Sequence, residues 1–96
     1  MRSKKKGHAP RTAVRLASGI HLDGGQAKDE VPVLVCPGGR VQLNRIAAAI
    51  LRLCDGSRDR DDVVAEVVRR SHRQTRAVEI IEFLDVARAR GWIDET

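Results

Sequence analysis

VPVLVCPGGRVQLNRIAAAILRLCDG, residues 31–56, changes from the period of a strand to the period of a helix within one uninterrupted run. The apolar residues at its start and the alternating RVQL at 40–43 predict two strands, and the PGG between them, at 37–39, predicts a tight turn. Asn44 follows as a good helix N-cap, and apolar residues then recur at helical spacing. The stretch therefore predicts a β-hairpin that leads directly into a helix over 45–55.

The residues before this stretch predict a third strand, and those after it predict two more helices. Residues 14–22 alternate between apolar and polar, as a half-buried strand does, and 31–36 supply the first strand of the hairpin. Four valines at helical spacing predict a helix over 60–71, and Thr75 can cap a third helix over 76–90. The order β-β-β-α-α-α predicts an α+β, winged-helix-like fold, with a three-stranded antiparallel sheet followed by three α-helices.

Charge is unevenly distributed along the chain. The 96 residues include 18 Lys and Arg against 13 Asp and Glu, which gives a net charge of +5. Six of the basic residues and no acidic residue lie in the first 15 positions, so the remainder is close to neutral. Because a chain of this length forms one domain, we expect a disordered basic tail at 1–13 and a single folded domain at 14–94.

No residue pattern typical of a catalytic or metal site occurs in the sequence. The histidines are scattered, glycine-rich phosphate-binding motifs are absent, and Cys36 and Cys54 lack the close pairing of zinc or redox sites. The sequence therefore predicts a protein that is not an enzyme and holds no metal or cofactor. It has no apolar run long enough to span a membrane and no secretory signal, so we expect a cytoplasmic protein.

Two classes of binding function are compatible with a winged-helix-like domain. A nucleic-acid-binding protein of this fold needs a basic recognition helix, but the predicted helices over 60–71 and 76–90 each have zero net charge. A peptide-binding domain needs an exposed sheet edge and an apolar groove, which Phe83 and Val86 could line. We prefer peptide binding and keep nucleic-acid binding as the alternative. An open edge also allows a weak or swapped dimer beside a monomer.

An ordered set of short motifs runs through the predicted domain. It comprises LN at 43–44, AA at 47–48, IL at 50–51, CDG at 54–56, FL at 83–84 and GWI at 91–93. In this set, over about residues 12–94, the chain resembles the pyrroloquinoline quinone (PQQ) biosynthesis protein D (PqqD) family. The resemblance implies a non-catalytic peptide chaperone that binds the ribosomal precursor peptide of PQQ and presents it to a radical S-adenosylmethionine enzyme.

The resemblance also implies where the peptide binds. In related recognition domains the peptide pairs with the third strand and lies against the third helix. Carried over to this chain, the positions are Arg40, Val41, Gln42 and Leu43 on the strand, and Ile80, Phe83, Leu84 and Val86 on the helix. The chain departs from the family pattern at three places. Members often have an aromatic residue where Cys36 stands, Glu where Gly38 stands, and Trp in the stretch around 21–23. The alternative that the same fold serves another modified-peptide pathway stays open.

Overall fold

The computed structural model describes residues 12–96, which fold into five strands and three helices. In chain order they are β1 (Val14–Leu16), β2 (His21–Asp23), β3 (Val33–Cys36), β4 (Gly39–Gln42), α1 (Arg45–Arg52), α2 (Arg60–Arg70), α3 (Ala77–Ala89) and β5 (Ile93–Glu95). Strands β2, β3 and β4 form an antiparallel sheet in that order, and β1 and β5 form a separate pair. The predicted α+β arrangement, a three-stranded sheet followed by three helices, is confirmed.

The β3–β4 hairpin forms as predicted. Cys36 lies opposite Gly39, and the two residues between them make the turn. Gly38 has φ of +90°, the conformation that glycine supplies after proline in a type II turn. Leu34 in β3 is fully buried and pairs with Val41 in β4, so this face of the sheet packs on the core.

The single strand predicted over 14–22 is wrong, because two strands in different sheets occupy this region. Between them the Ile20 N–H donates to the Ala17 carbonyl at 3.1 Å, and Gly19 has φ of +83°. The resulting turn sends β2 into the three-stranded sheet, while β1 pairs with β5. The apolar alternation continues through the turn, since Ile20 and Leu22 also face inward, and the sequence pattern therefore hides the break.

The pair β1–β5 joins the two ends of the described chain. Ala13 and Thr96 exchange backbone hydrogen bonds of 2.6 and 3.0 Å, and Val14 lies opposite Glu95. Most of the predicted tail at 1–13 lies outside the described residues, but its last residue, Ala13, is buried beside β5.

Side-chain caps begin the first two helices as predicted. Asn44 Oδ1 accepts the Ala47 N–H at 2.7 Å, and Asp59 Oδ1 accepts the Asp62 N–H at 2.9 Å. The third helix differs from the prediction, because its N-cap is Arg76 rather than Thr75.

Helix α1 ends three residues before the predicted end at residue 55. The segment after it pairs with β1 instead, since the Leu16 N–H donates to the Cys54 carbonyl at 3.1 Å and the Gly56 N–H donates to the Val14 carbonyl at 2.9 Å. Tertiary hydrogen bonds to β1 therefore replace the last helical turn.

An ion-pair cluster holds β5 against the helices. Arg60 donates to both carboxylate oxygens of Glu95, at 3.0 and 2.7 Å, and to Asp85 at 2.7 Å. The Glu95 side chain is only 8% exposed. The Arg60 guanidinium holds the pKa of Glu95 below its usual value, so the carboxylate stays ionised at neutral pH.

Candidate functional site

Strand β4 is an edge of the three-stranded sheet, and its outer side offers backbone hydrogen-bonding groups. The Leu43 N–H donates to the Pro32 carbonyl at 2.9 Å, in register with the β3–β4 pairing. In an antiparallel ladder, hydrogen-bonded and non-bonded pairs alternate. Val41 therefore bonds inward to β3, whereas the N–H and C=O groups of Arg40 and Gln42 point away from it. We call these two residues the β4 edge.

The opposite edge of the sheet, β2, is shorter and partly covered. The same alternation leaves only Leu22 with its backbone groups pointing outward. Arg52, at the end of α1, reaches across and donates to the Gly24 carbonyl at 3.0 Å. A cavity of about 660 Å³ lies beside β2, but it is lined by four charged side chains, Arg15, Asp23, Arg52 and Asp55. The β4 edge is therefore the better place for an added strand.

The structure separates the strand residues predicted for peptide binding by the face they occupy. Arg40 and Gln42 are exposed, and Arg40 lies 3.8 Å from Asp23 across the outer face of the sheet. Val41 and Leu43 are half-buried and pack against the core. The first two thus offer backbone groups and exposed side chains, while the other two support the strand from below.

A cleft of about 350 Å³ lies between the beginning of α1 and the first half of α3. We call it the α1–α3 cleft. It starts where the β4 edge ends, because Asn44, the N-cap of α1, lines it. Its other lining residues are mainly apolar, with the carboxylate of Glu79 at the rim: Ile46, Ala47, Ile50, Thr75, Glu79 and Phe83.

The four helix residues predicted for peptide binding lie in different environments. Ile80 and Leu84 are 0% exposed and belong to the core, so their side chains are not on the surface. Phe83 is half-buried and lines the α1–α3 cleft, with its ring centroid 6.4 Å from that of Trp92. Val86 is 46% exposed and lies one turn further along the same flank of α3. Phe83 and Val86 are thus the two that can contact a ligand.

Ile46 is a surface residue of the cleft that the sequence analysis did not include. It is 40% exposed although it lies in the apolar run that begins α1. The buried face of that helix consists of Ala47, Ala48, Ile50 and Leu51. An apolar residue outside this face, one position before it, is the signal that could have identified Ile46.

The Cys54 thiol has a structural role in the core. Burial raises the pKa of the Cys54 thiol to about 12, and its Sγ donates to the Ile50 carbonyl, so the thiol stays protonated and packs in the core. Within residues 12–96, no three metal-ligating side chains come together. In the same part of the chain, no helix is long and apolar enough to span a membrane.

Comparison with known proteins adds a family to this geometry. The family model described as coenzyme PQQ synthesis protein D (PqqD) matches residues 21–93. The PqqA binding protein of Methylococcus capsulatus is 31% identical over 86 residues, which cover 90% of this chain and 91% of that protein. The PqqA binding protein of Azotobacter vinelandii is 44% identical over 64 residues, 65% of this chain and 68% of that protein. PqqA binding protein 2 of Pseudomonas putida is 33% identical over 87 residues, 85% of this chain and 91% of that protein. No solved structure matches the chain significantly.

The family match spans both the β4 edge and the α1–α3 cleft, and this chain belongs to the PqqD family of coenzyme PQQ synthesis proteins.

Proposed function

We propose that this protein binds the ribosomal precursor peptide of PQQ, which we take to be the PqqA of its relatives' names, as a fourth strand on the β4 edge. The observation that carries the proposal is the outward-facing backbone of Arg40 and Gln42 beside an apolar cleft. Membership of the PqqD family and the names of the relatives support the identity of the peptide.

The two parts of the surface have different tasks in this proposal. Arg40 and Gln42 each offer one N–H and one C=O, so the peptide gains up to four backbone hydrogen bonds that do not depend on its sequence. A side chain of the peptide that enters the α1–α3 cleft, against Ile46 and Phe83, fixes which peptide binds and in which register. Ile80 and Leu84 have no direct part, because they support α3 from the core.

The further steps of the proposed function are binding and delivery, without chemistry on the peptide by this protein. The bound peptide would be handed to the radical S-adenosylmethionine enzyme of the pathway, which modifies it. We also place the protein in the cytoplasm, where the precursor is made on ribosomes. The family resemblance supports both the delivery and the location.

Nucleic-acid binding has no support of its own. In a winged-helix protein the recognition helix faces the phosphate backbone. Here the exposed surface of α3 includes Glu79 and Glu82, whose carboxylates would be repelled by phosphates. The family match likewise points away from nucleic acid.

A titration with a matched pair of variants tests the proposal. Val86 and Val78 lie on the same helix and are both 46% exposed, but only Val86 follows Phe83 on the cleft side. Synthetic PqqA peptide from the same organism is added to the isotope-labelled full chain, and backbone amide shifts and affinity are measured. We expect shifts around 40–43 and on the cleft side of α3. Val86→Asp should weaken binding about tenfold or more, whereas Val78→Asp should change it less than about twofold. No binding by the wild type, or equal losses in the two variants, would overturn the proposal.

A further inference from the structure

A basic loop connects the end of α2 to the beginning of α3. The run RRSHRQTR, residues 69–76, holds four arginines and a histidine, and no acidic residue occurs between Glu66 and Glu79. Glu66 pairs with both Arg69 and Arg70, which hold its pKa at about 2. Within residues 12–96, the other two arginines of the loop form no ion pair, so the loop carries surplus positive charge. We call residues 69–76 the basic loop.

The backbone of this loop is firmly built. His72 and Arg73 have φ of +54° and +67°, a region that glycine normally occupies. The Arg73 N–H donates to the Val68 carbonyl at 3.0 Å, which closes the end of α2, and Ser71 Oγ accepts the Thr75 N–H at 3.1 Å. The loop therefore presents Arg73 from a fixed position at a cost in backbone energy.

An apolar groove runs from the basic loop along α2 and α3. Val64 and Val68 lie one turn apart on α2, and Ala77 and Ile81 lie one turn apart on α3. The groove encloses about 420 Å³, and Ile81 is 39% exposed. Arg69 and Arg73 line its loop end, and Asp61 lines the other end. We call it the α2–α3 groove.

We propose that the α2–α3 groove docks an amphipathic helix with an acidic end, presented by the enzyme that receives the peptide. The charge pattern argues for this occupant, because its carboxylates would meet Arg69 and Arg73 while its apolar side chains fill the space between the valines and Ile81. Nucleic acid fits less well, since phosphates could meet only the loop end of the groove, while its apolar walls would stay uncovered and Asp61 would repel them.

This inference rests on the proposed function, and it adds that delivery uses a second surface. α3 turns Phe83 and Val86 to one flank and Ala77 and Ile81 to the other. One helix can thus contact the peptide and the enzyme at the same time without competition between them. The acidic end of the partner helix would be oriented toward the basic loop, which fixes the direction in which the enzyme docks.

Two variants of the full chain test the second surface separately from the first. Binding of the purified radical S-adenosylmethionine enzyme of the pathway, and of synthetic PqqA peptide, is measured by calorimetry at two salt concentrations. Arg73→Glu and Ile81→Asp should each weaken enzyme binding about tenfold or more and leave peptide affinity within about twofold. Arg73→Glu should also reduce the salt dependence of enzyme binding. Lys28→Glu, an exposed charge reversal of the same size outside the groove, is the control for enzyme binding and should leave enzyme affinity unchanged.

The outcomes distinguish the two proposals. If the wild type binds the enzyme but not the peptide, the proposed peptide site fails while the loss in Arg73→Glu and Ile81→Asp still supports the groove. If both variants bind the enzyme as the wild type does, the groove is overturned whatever the peptide does. Amide shifts at residues 69–76 that appear only with a DNA duplex and vanish with salt would also overturn it, in favour of nucleic acid.

Discussion

Proline at position 42 should weaken strand addition and leave the fold intact. The Gln42 N–H points out of the sheet, so its removal breaks no hydrogen bond of the β3–β4 ladder. Proline is accepted on edge strands for this reason. We therefore expect Gln42→Pro to lower the free energy of unfolding by no more than about 1 kcal/mol.

The effect on peptide affinity follows from the geometry of the β4 edge. One lost backbone bond is worth about 1 kcal/mol, or roughly fivefold in affinity. The proline ring also occupies the space of the incoming strand, and if all four bonds fail, the loss of about 4 kcal/mol corresponds to about a thousandfold. We expect a loss between these limits, measured by calorimetry with the synthetic PqqA peptide.

The neighbouring position provides the matched control. The Val41 N–H points to β3, so Val41→Pro leaves the buried Leu34 carbonyl without its partner and should cost about 3 kcal/mol of stability. Urea denaturation of both variants checks the contrast. Unchanged peptide affinity in a folded Gln42→Pro variant would refute the strand-addition geometry, and equal destabilisation of the two variants would refute the alternation.

Three further predictions concern the fold. Leu34→Ala should destabilise the protein by about 3 kcal/mol in urea denaturation, because its side chain is fully buried; a cost below 1 kcal/mol would place it outside the core. Glu95→Gln should lower the free energy of unfolding by about 2 kcal/mol at neutral pH. Because the pKa of Glu95 is lowered in the folded state, its contribution is present above about pH 4.3 and is lost as pH falls through the folded-state pKa, so the variant should lose less stability in acid than the wild type. Parallel curves of unfolding free energy against pH for wild type and variant would contradict the role of Arg60. His72→Gly should raise the free energy of unfolding by about 0.5–1 kcal/mol by relieving the positive φ, and a lower melting temperature would contradict this.

Local signals in the sequence predicted most of the architecture. The turn after β3, the caps at Asn44 and Asp59 and the valine-rich helix all depend on neighbouring residues, and all form. The misassigned regions depend on distant partners. β1 and β5 are three residues each and stabilise one another across nearly the whole chain, and the last turn predicted for α1 yields to hydrogen bonds from β1.

The candidate site could be predicted only as far as the strand that carries it. The order of the elements indicated a sheet edge at 40–43. The apolar surface of α3 is wider than the face that packs on the core, and residue spacing alone does not tell which of its apolar residues are buried. The structure buries Ile80 and Leu84 and leaves Val86 exposed. The basic loop at 69–76 was not predicted, because acidic residues elsewhere on the predicted helices balance Arg69, Arg70 and Arg76, and Arg73 lies between those helices.

The pairing of β1 with β5 also bears on how the protein is made. Val14 is fully buried and Ile93 is nearly so, yet almost eighty positions separate them along the chain. During synthesis on the ribosome, β1 can pair with the segment after α1, but its partner strand β5 is missing until the last residues of the domain have emerged from the exit tunnel. The hairpin and helices can form earlier from local contacts, but closure of the core must wait for β5. Folding of this small domain is therefore completed only after its final strand has been translated.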